Sequence, residues 1–140
     1  MDETLSLIEL ENAIIEDFRQ LEDWFLQYEY LLAISAEMPH MSKEERTEDR
    51  KVTACQSGAW LVLTHSNGKV HVQADSEALI IRGILSIVVY LLDGRTPMEI
   101  VAYTPRFIED SNLKQQISID RFHGIHSVIQ AIQNFASQYK

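Results

Sequence analysis

Two β-rich runs, Trp60-Leu61-Val62-Leu63-Thr64 and Lys69-Val70-His71-Val72-Gln73-Ala74, flank Ser66-Asn67-Gly68. An Asn-Gly pair between such runs is a strong hairpin signal, because both central residues of the tight turn need a positive φ. The middle of the chain is thereby committed to a local antiparallel ribbon. What surrounds it reads as helix. Leu5, Ile8, Ile15 and Phe18, then Trp24, Phe25, Tyr28, Leu31, Leu32 and Met38, recur at helical spacing and predict amphipathic helices over about 3–19 and 23–37. Pro39 stops the second, and residues 40–51 (HMSKEERTEDRK) form a charged connector with a capping-box pattern at Ser42 to Glu45.

After the hairpin, Asp75-Ser76 can cap a helix from about 77 to 92, which Asp93-Gly94 ends. Thr96-Pro97-Met98-Glu99 starts a short helix to about Ala102, with Thr as cap, Pro at the first position and Glu three residues on. Tyr103 to Gln116 reads as irregular or single turns. Ser118-Ile119-Asp120 opens a last helix whose Ile125, Val128, Ile129, Ile132, Phe135 and Ala136 make one stripe. Val52 to Ala54 suits a short edge strand. Helices, then a small antiparallel sheet, then helices give an α+β fold, the hairpin packed against helices in one domain over 1–140.

The net charge of −9 is unevenly spread: the first 50 of the 140 residues hold 14 of the 21 acids and 4 of the 12 Lys and Arg, a net −10 against +1 for the rest. Such a surface repels a phosphate backbone, and no basic stripe interleaved with aromatics offsets it, so nucleic acid is not an expected partner. The acidic first helix reads as a solvated face. The longest apolar stretch, Ala78 to Leu92, is broken by Arg82 and Gly83 and falls short of the roughly 20 residues of a bilayer span. It is expected to be a core helix, with no membrane partner. The N-terminus MDETLSLIEL carries acids where a secretory signal is basic, and one cysteine forms no internal disulfide; a cytoplasmic location follows as the expectation.

That cysteine, Cys55, lies in VTACQSGAWL between the connector and the first strand. A lone cysteine is most often a small core hydrophobe. The polar, flexible neighbours Gln56, Ser57 and Gly58 suit an accessible thiol better. Lowering its pKa needs a cation, a helix N-terminus or a base; Arg50 and Lys51 are near in sequence. His65 and His71 on the hairpin are the nominal bases for a cysteine-dependent hydrolase or transferase. His123 and His126 share one helical face, a weak zinc signal beside a single cysteine. Asp75 reads as a cap. Arg121 is a cation in the first turn of the last helix, against the dipole preference, and so a candidate for holding a partner.

Four blocks in order carry a family resemblance: Val52 to Leu61, which is similar to V-x-G-C-Q-S-x-V-W; Ala74 to Gly83 (ADSEALIIRG), similar to ADSDAxIVKG; Thr96 to Ile100 (TPMEI); and Ile117 to Gly124 (ISIDRFHG), similar to LSPSRANG. Over about 21–136 the chain resembles the SufE family, sulfur acceptors and activators of cysteine desulfurases that include CsdE-like proteins. The resemblance implies an α+β fold shared with IscU-type scaffolds. It also implies that Cys55 takes a persulfide sulfur from a SufS-type or CsdA-type desulfurase and relays it to an iron-sulfur cluster assembly complex. The pyridoxal phosphate belongs to the partner, and no cofactor is implied in this chain. Thiolate attack on a sulfur-sulfur bond needs one thiol and no metal, whereas a cluster scaffold of that type needs three cysteines. By position, Gln56, Ser57, Asp75 and Arg121 belong to the partner-facing surface, with Asp75 near the cysteine. The sequence departs from the pattern at Ala54, at Gly58-Ala59 and at Phe122-His123. Ala54, in place of a glycine, predicts a stiffer approach to Cys55, with Gly58 restoring freedom beyond it. The alternative from a different class is a binding module that regulates a desulfurase or another partner without carrying sulfur.

Overall fold

The computed structural model describes residues 6–21, 23–39, 41–52, 58–111, 113 and 117–140. Helices α1 (Leu7–Gln20) and α2 (Trp24–Glu37) precede a 3-10 turn at Glu48–Arg50. Strands β1 (Ala59–Ser66) and β2 (Lys69–Ser76) follow, and then α3 (Leu79–Leu92), α4 (Pro97–Ala102), α5 (Phe107–Asp110) and α6 (Ile119–Ala136). The α+β expectation holds: a two-stranded antiparallel sheet backed by helices.

The hairpin pairs Ala59 with Ser76 through Ser66 with Lys69. Asn67 (φ 54°) and Gly68 (φ 75°) make the turn the sequence announced. On β2, Val70, Val72 and Ala74 are buried while Lys69, His71 and Gln73 face out, the two-residue alternation of a half-covered strand. Its outer edge is occupied by the chain leaving α3. The Val70 N–H donates to the Arg95 carbonyl (2.9 Å), Gly94 N–H donates to the Val70 carbonyl (2.8 Å), and Asp93 Oδ1 accepts from Val72 N–H (2.8 Å). Asp93-Gly94 thus ends α3, as expected, and also closes a sheet edge that would otherwise be open.

α3 is the central element. Ile81, Ile84, Leu85, Val88, Leu91 and Leu92 are buried, each contributing about 1.5–3 kcal/mol. Gly83 allows α2 to approach: an added Cβ there would sit 2.6 Å from the Leu31 carbonyl oxygen. The stripe expected on α6 is confirmed, with Ile125, Val128, Ile129, Ile132 and Ala136 buried and Phe135 half-buried. Ser118 caps α6 by accepting from Arg121 N–H, and Thr96 with Glu99 forms the expected capping box of α4.

Three expectations are corrected. Asp75-Ser76 does not cap a helix from 77: both residues end β2, and α3 starts at Leu79 after an Ala78 cap without a side-chain bond. On α2 the aromatics Trp24, Phe25 and Tyr28 are exposed, and the buried line is Gln27, Leu31 and Ser35. Gln27 Nε2 donates to the Phe18 and Leu21 carbonyls, so this polar core residue satisfies the end of α1. The acidic face of α1 is not wholly solvated either. Glu11 is buried and its Oε2 accepts from the Tyr103 hydroxyl (2.6 Å), Arg106 N–H (2.8 Å) and Phe107 N–H (3.1 Å), tying α1 to the α4–α5 corner. Burial, and then the Glu11 carboxylate, push the Tyr103 phenol far above its ordinary pKa.

Candidate functional site

Cys55 and its neighbours Gln56, Ser57 and Ala54 lie outside the described residues, and so does most of the edge strand expected at Val52 to Ala54. The residues that bracket 53–57 are described, and they are clasped together. Lys51 forms an antiparallel bridge with Trp60, and Val52 N–H donates to the Ala59 carbonyl at 2.8 Å. Gly58 takes φ +81°, a left-handed conformation that glycine adopts without penalty. Its carbonyl accepts from Ser76 Oγ at 2.7 Å. The residues on either side of 53–57 therefore lie adjacent to one another at the start of the hairpin.

Under that clasp sits a buried charge cluster. Asp75 pairs with Trp60 across the hairpin, and its carboxylate is fully buried. Oδ1 accepts from Arg82 Nε (2.7 Å) and Ser76 N–H (2.8 Å); Oδ2 accepts from Met41 N–H (2.7 Å) and Arg46 Nη2 (2.9 Å). Burial alone would raise the Asp75 pKa, but the bonds from Met41, Arg46 and Ser76 and the Arg82 charge outweigh it and hold the carboxyl below the usual range. Arg82, itself buried, also donates to the Ser35 and Met38 carbonyls at the end of α2. Arg46 lies over the Trp60 indole, 4.8 Å from the ring centroid, and reaches toward Glu77 Oε1 at 3.9 Å. One carboxylate thus joins the connector, the hairpin, α2 and α3 beside the clasp.

Asp75 is therefore a frame residue: with no exposure, it acts on a partner only through what it holds. Arg121 is half-buried in the first turn of α6 and makes no ion pair among the described residues. Tyr139, just past the other end of that helix, stacks on His65 (4.2 Å), while Arg121 stands about 22 Å of helix away from Ala136, at the end remote from that contact. The histidines disperse. His65 and His71 lie toward the hairpin turn, His65 about 20 Å along β1 from Ala59. His71 Nδ1 is 4.0 Å from Asp93 Oδ1, and His126 packs on Phe122 (4.5 Å between centroids). No group of metal-ligating side chains occurs among the described residues. Arg50, a nominal activator, donates to the Glu45 carbonyl (2.9 Å), and Lys51 is exposed. Arg46, Arg82 and Trp60 were not picked out as site residues from the sequence. The one available signal was Arg82, a lone cation within an apolar run, which is the mark of a buried pair.

An α+β frame thus carries a hairpin bridged at its start to residues 51 and 52, beside a buried carboxylate–guanidinium cluster, and these residues bracket the stretch that holds the chain's one cysteine. The fold is similar to the solution structure of a hypothetical protein from Thermus thermophilus, with a TM-score of 0.76 at 19% sequence identity over 93% of this chain and 95% of that one. The family model described as the SufE Fe-S metabolism associated domain matches residues 12–136, and the chain belongs to that family. Its role lies in iron-sulfur metabolism. Among the described residues no helix is long and apolar enough to cross a membrane.

Proposed function

We propose that this protein accepts sulfur at Cys55 from a pyridoxal-phosphate-dependent cysteine desulfurase and delivers it to an iron-sulfur cluster assembly complex in the cytoplasm. Family membership supports the pathway, and the observation that carries the assignment to Cys55 is the clasp. The chain's one thiol stands in a segment pinned by Val52–Ala59 and by Ser76–Gly58. In the transfer, the Cys55 thiolate attacks the outer sulfur of the desulfurase persulfide. The sulfur-sulfur bond breaks, the desulfurase cysteine leaves as thiolate, and Cys55 becomes a persulfide. One bond forms for one broken, with no net oxidation. No second cysteine in the chain can attack that persulfide and discharge it as a disulfide. Gln56, Ser57 and Arg121 meet the desulfurase in this reading, and Asp75 holds the base of the thiol segment.

The test is incubation with desulfurase and cysteine followed by intact-mass and peptide analysis. One added sulfur on Cys55 is expected, with loss of both the adduct and the stimulation of desulfurase turnover in Cys55→Ser. Full stimulation by Cys55→Ser would make the protein a regulator that carries no sulfur.

A further inference from the structure

Away from the clasp, α1, α2 and α3 enclose an open groove of about 470 Å³. Its apolar surface is supplied by Ile14, Tyr30, Ile34 and Tyr90 among others, and Tyr90 is 61% exposed. Two carboxylates, Asp17 on α1 and Glu37 on α2, stand in its lining, and no Lys, Arg or His does. Both carboxylates are exposed. They bear on the same point: burial first, and then the charges of Asp17 and Glu37, raise the pKa of the Tyr30 phenol between them. The α1 and α2 walls of the groove belong to the first 50 residues, which carry a net −10. The nearest cation along α1, Arg19, is turned away, donating from Nε to the Asp110 carbonyl at 3.0 Å.

An apolar floor with acidic walls selects an apolar ligand that carries positive charge. Tyr30 to Glu37 spans about 10 Å of helix, the rise of two turns. The groove therefore has room for the apolar face of a short helical segment and is too short for a long coiled-coil partner. We propose that it is a docking groove for a partner protein's amphipathic segment, with apolar side chains one turn apart on the floor and a flanking Lys or Arg between Asp17 and Glu37. This is a helix-in-groove contact separate from the thiol surface. The groove adjoins the Asp75 cluster, since the carbonyl of Met38, in the groove lining, accepts from Arg82.

The test uses the full chain and three synthetic peptides that share one helical apolar pattern and differ only in Lys, Gln or Glu at the two flanking positions. Binding is followed by fluorescence anisotropy of the labelled peptide and by backbone amide shifts of the protein. The Lys peptide is expected to bind about tenfold tighter than the Glu peptide at low salt, with the preference fading as salt rises. The shifts are expected in α1 and in Tyr30 to Met38. Asp17→Lys with Glu37→Lys, both exposed positions, is expected to reverse the order of the peptides. Equal binding of all three, shifts elsewhere, an order that survives the charge reversal, or no binding at roughly millimolar peptide would overturn the proposal. So would concentration-dependent self-association abolished by Tyr90→Glu, which would make a second copy of the chain the occupant. None of these readouts involves Cys55 or sulfur transfer, so they stand or fall apart from the proposed function.

Discussion

Replacing Arg82 with Met tests whether the buried cluster supports the frame of the thiol segment. Methionine fills most of the same space with a flexible apolar chain, so loss of packing is kept small. Three acceptors lose their guanidinium partner: Asp75 Oδ1, left with Ser76 N–H, and the Ser35 and Met38 carbonyls at the end of α2. Removing one member of a buried ion pair costs about 3–5 kcal/mol, because the other charge stays behind uncompensated. Arg46 remains on Oδ2 and keeps the loss from going higher. For 140 residues the entropy of unfolding is about 0.3 kcal/mol/K, so the melting temperature should fall by about 10–17 °C. Asp75→Asn alone strands Arg82 in turn, whereas the double variant removes both charges. The two single losses should therefore exceed the loss in the double variant by about 1–3 kcal/mol. The pH dependence has a definite sign. The folded pKa of Asp75 is lowered, so its contribution is present above the unfolded value of about 3.9 and is lost as pH falls through the folded one. Arg82→Met removes one cause of that lowering, and acid unfolding should become less steep below about pH 4. Thermal and urea unfolding of the four proteins between roughly pH 2 and 7 makes the measurement. A loss under about 1 kcal/mol, or single effects that simply add in the double variant, would refute the claim that this pair is a coupled anchor.

Two glycines give sharper local tests. At Gly58 the backbone conformation, φ +81°, sets the cost, since a Cβ would meet only the Trp60 ring at an ordinary 3.5 Å. Unfolding should rank Gly58 above Gly58→Asn above Gly58→Ala, with Ala losing about 1 kcal/mol; equal stability of the Asn and Ala variants would contradict this. At Gly83 the conformation is helical and space decides. The clash with the Leu31 carbonyl at 2.6 Å costs about 1–3 kcal/mol and outweighs the gain of about 1 kcal/mol in helix propensity. Gly83→Ala should lower the melting temperature by several degrees, and a stabilised variant would show that α2 and α3 do not meet as described.

The elements that follow local rules were legible in the sequence. Asn67-Gly68 fixed the turn, Thr96-Pro97-Met98-Glu99 fixed α4, and the spacing of Ile125 to Ile132 fixed the buried side of α6. Where the reading went astray, a distant partner outranked a local one. Asp75 has the chemistry of a cap, but two arginines and the Met41 N–H from elsewhere in the fold, together with the adjacent Ser76 N–H, occupy its oxygens, so it ends a strand. At Ser42 and Glu45, by contrast, the local rule holds: the two bond each other's backbone as a capping box, and a single turn follows, with Glu45 and Arg46 N–H donating to the Ser42 carbonyl. On α2, hydrophobicity pointed to Trp24, Phe25 and Tyr28, while contact with α3 is made where side chains are small enough for close approach, at Ser35 and opposite Gly83. Cys55 stood out in the sequence because its neighbours and the three downstream blocks are local patterns. The Asp75 cluster did not, since it joins positions from 41 to 82 that no periodicity connects.

The bridge between Lys51 and Trp60 also bears on how much chain can lie between residues 52 and 58. Because the ends of residues 53–57 are already joined, the entropy of closing that segment depends only weakly on its length, and doubling it would cost about 0.6 kcal/mol. A longer connection between the same two anchors is thus a small entropic load on the frame. The length of the stretch that carries Cys55 is therefore set apart, in energetic terms, from the frame that closes its ends.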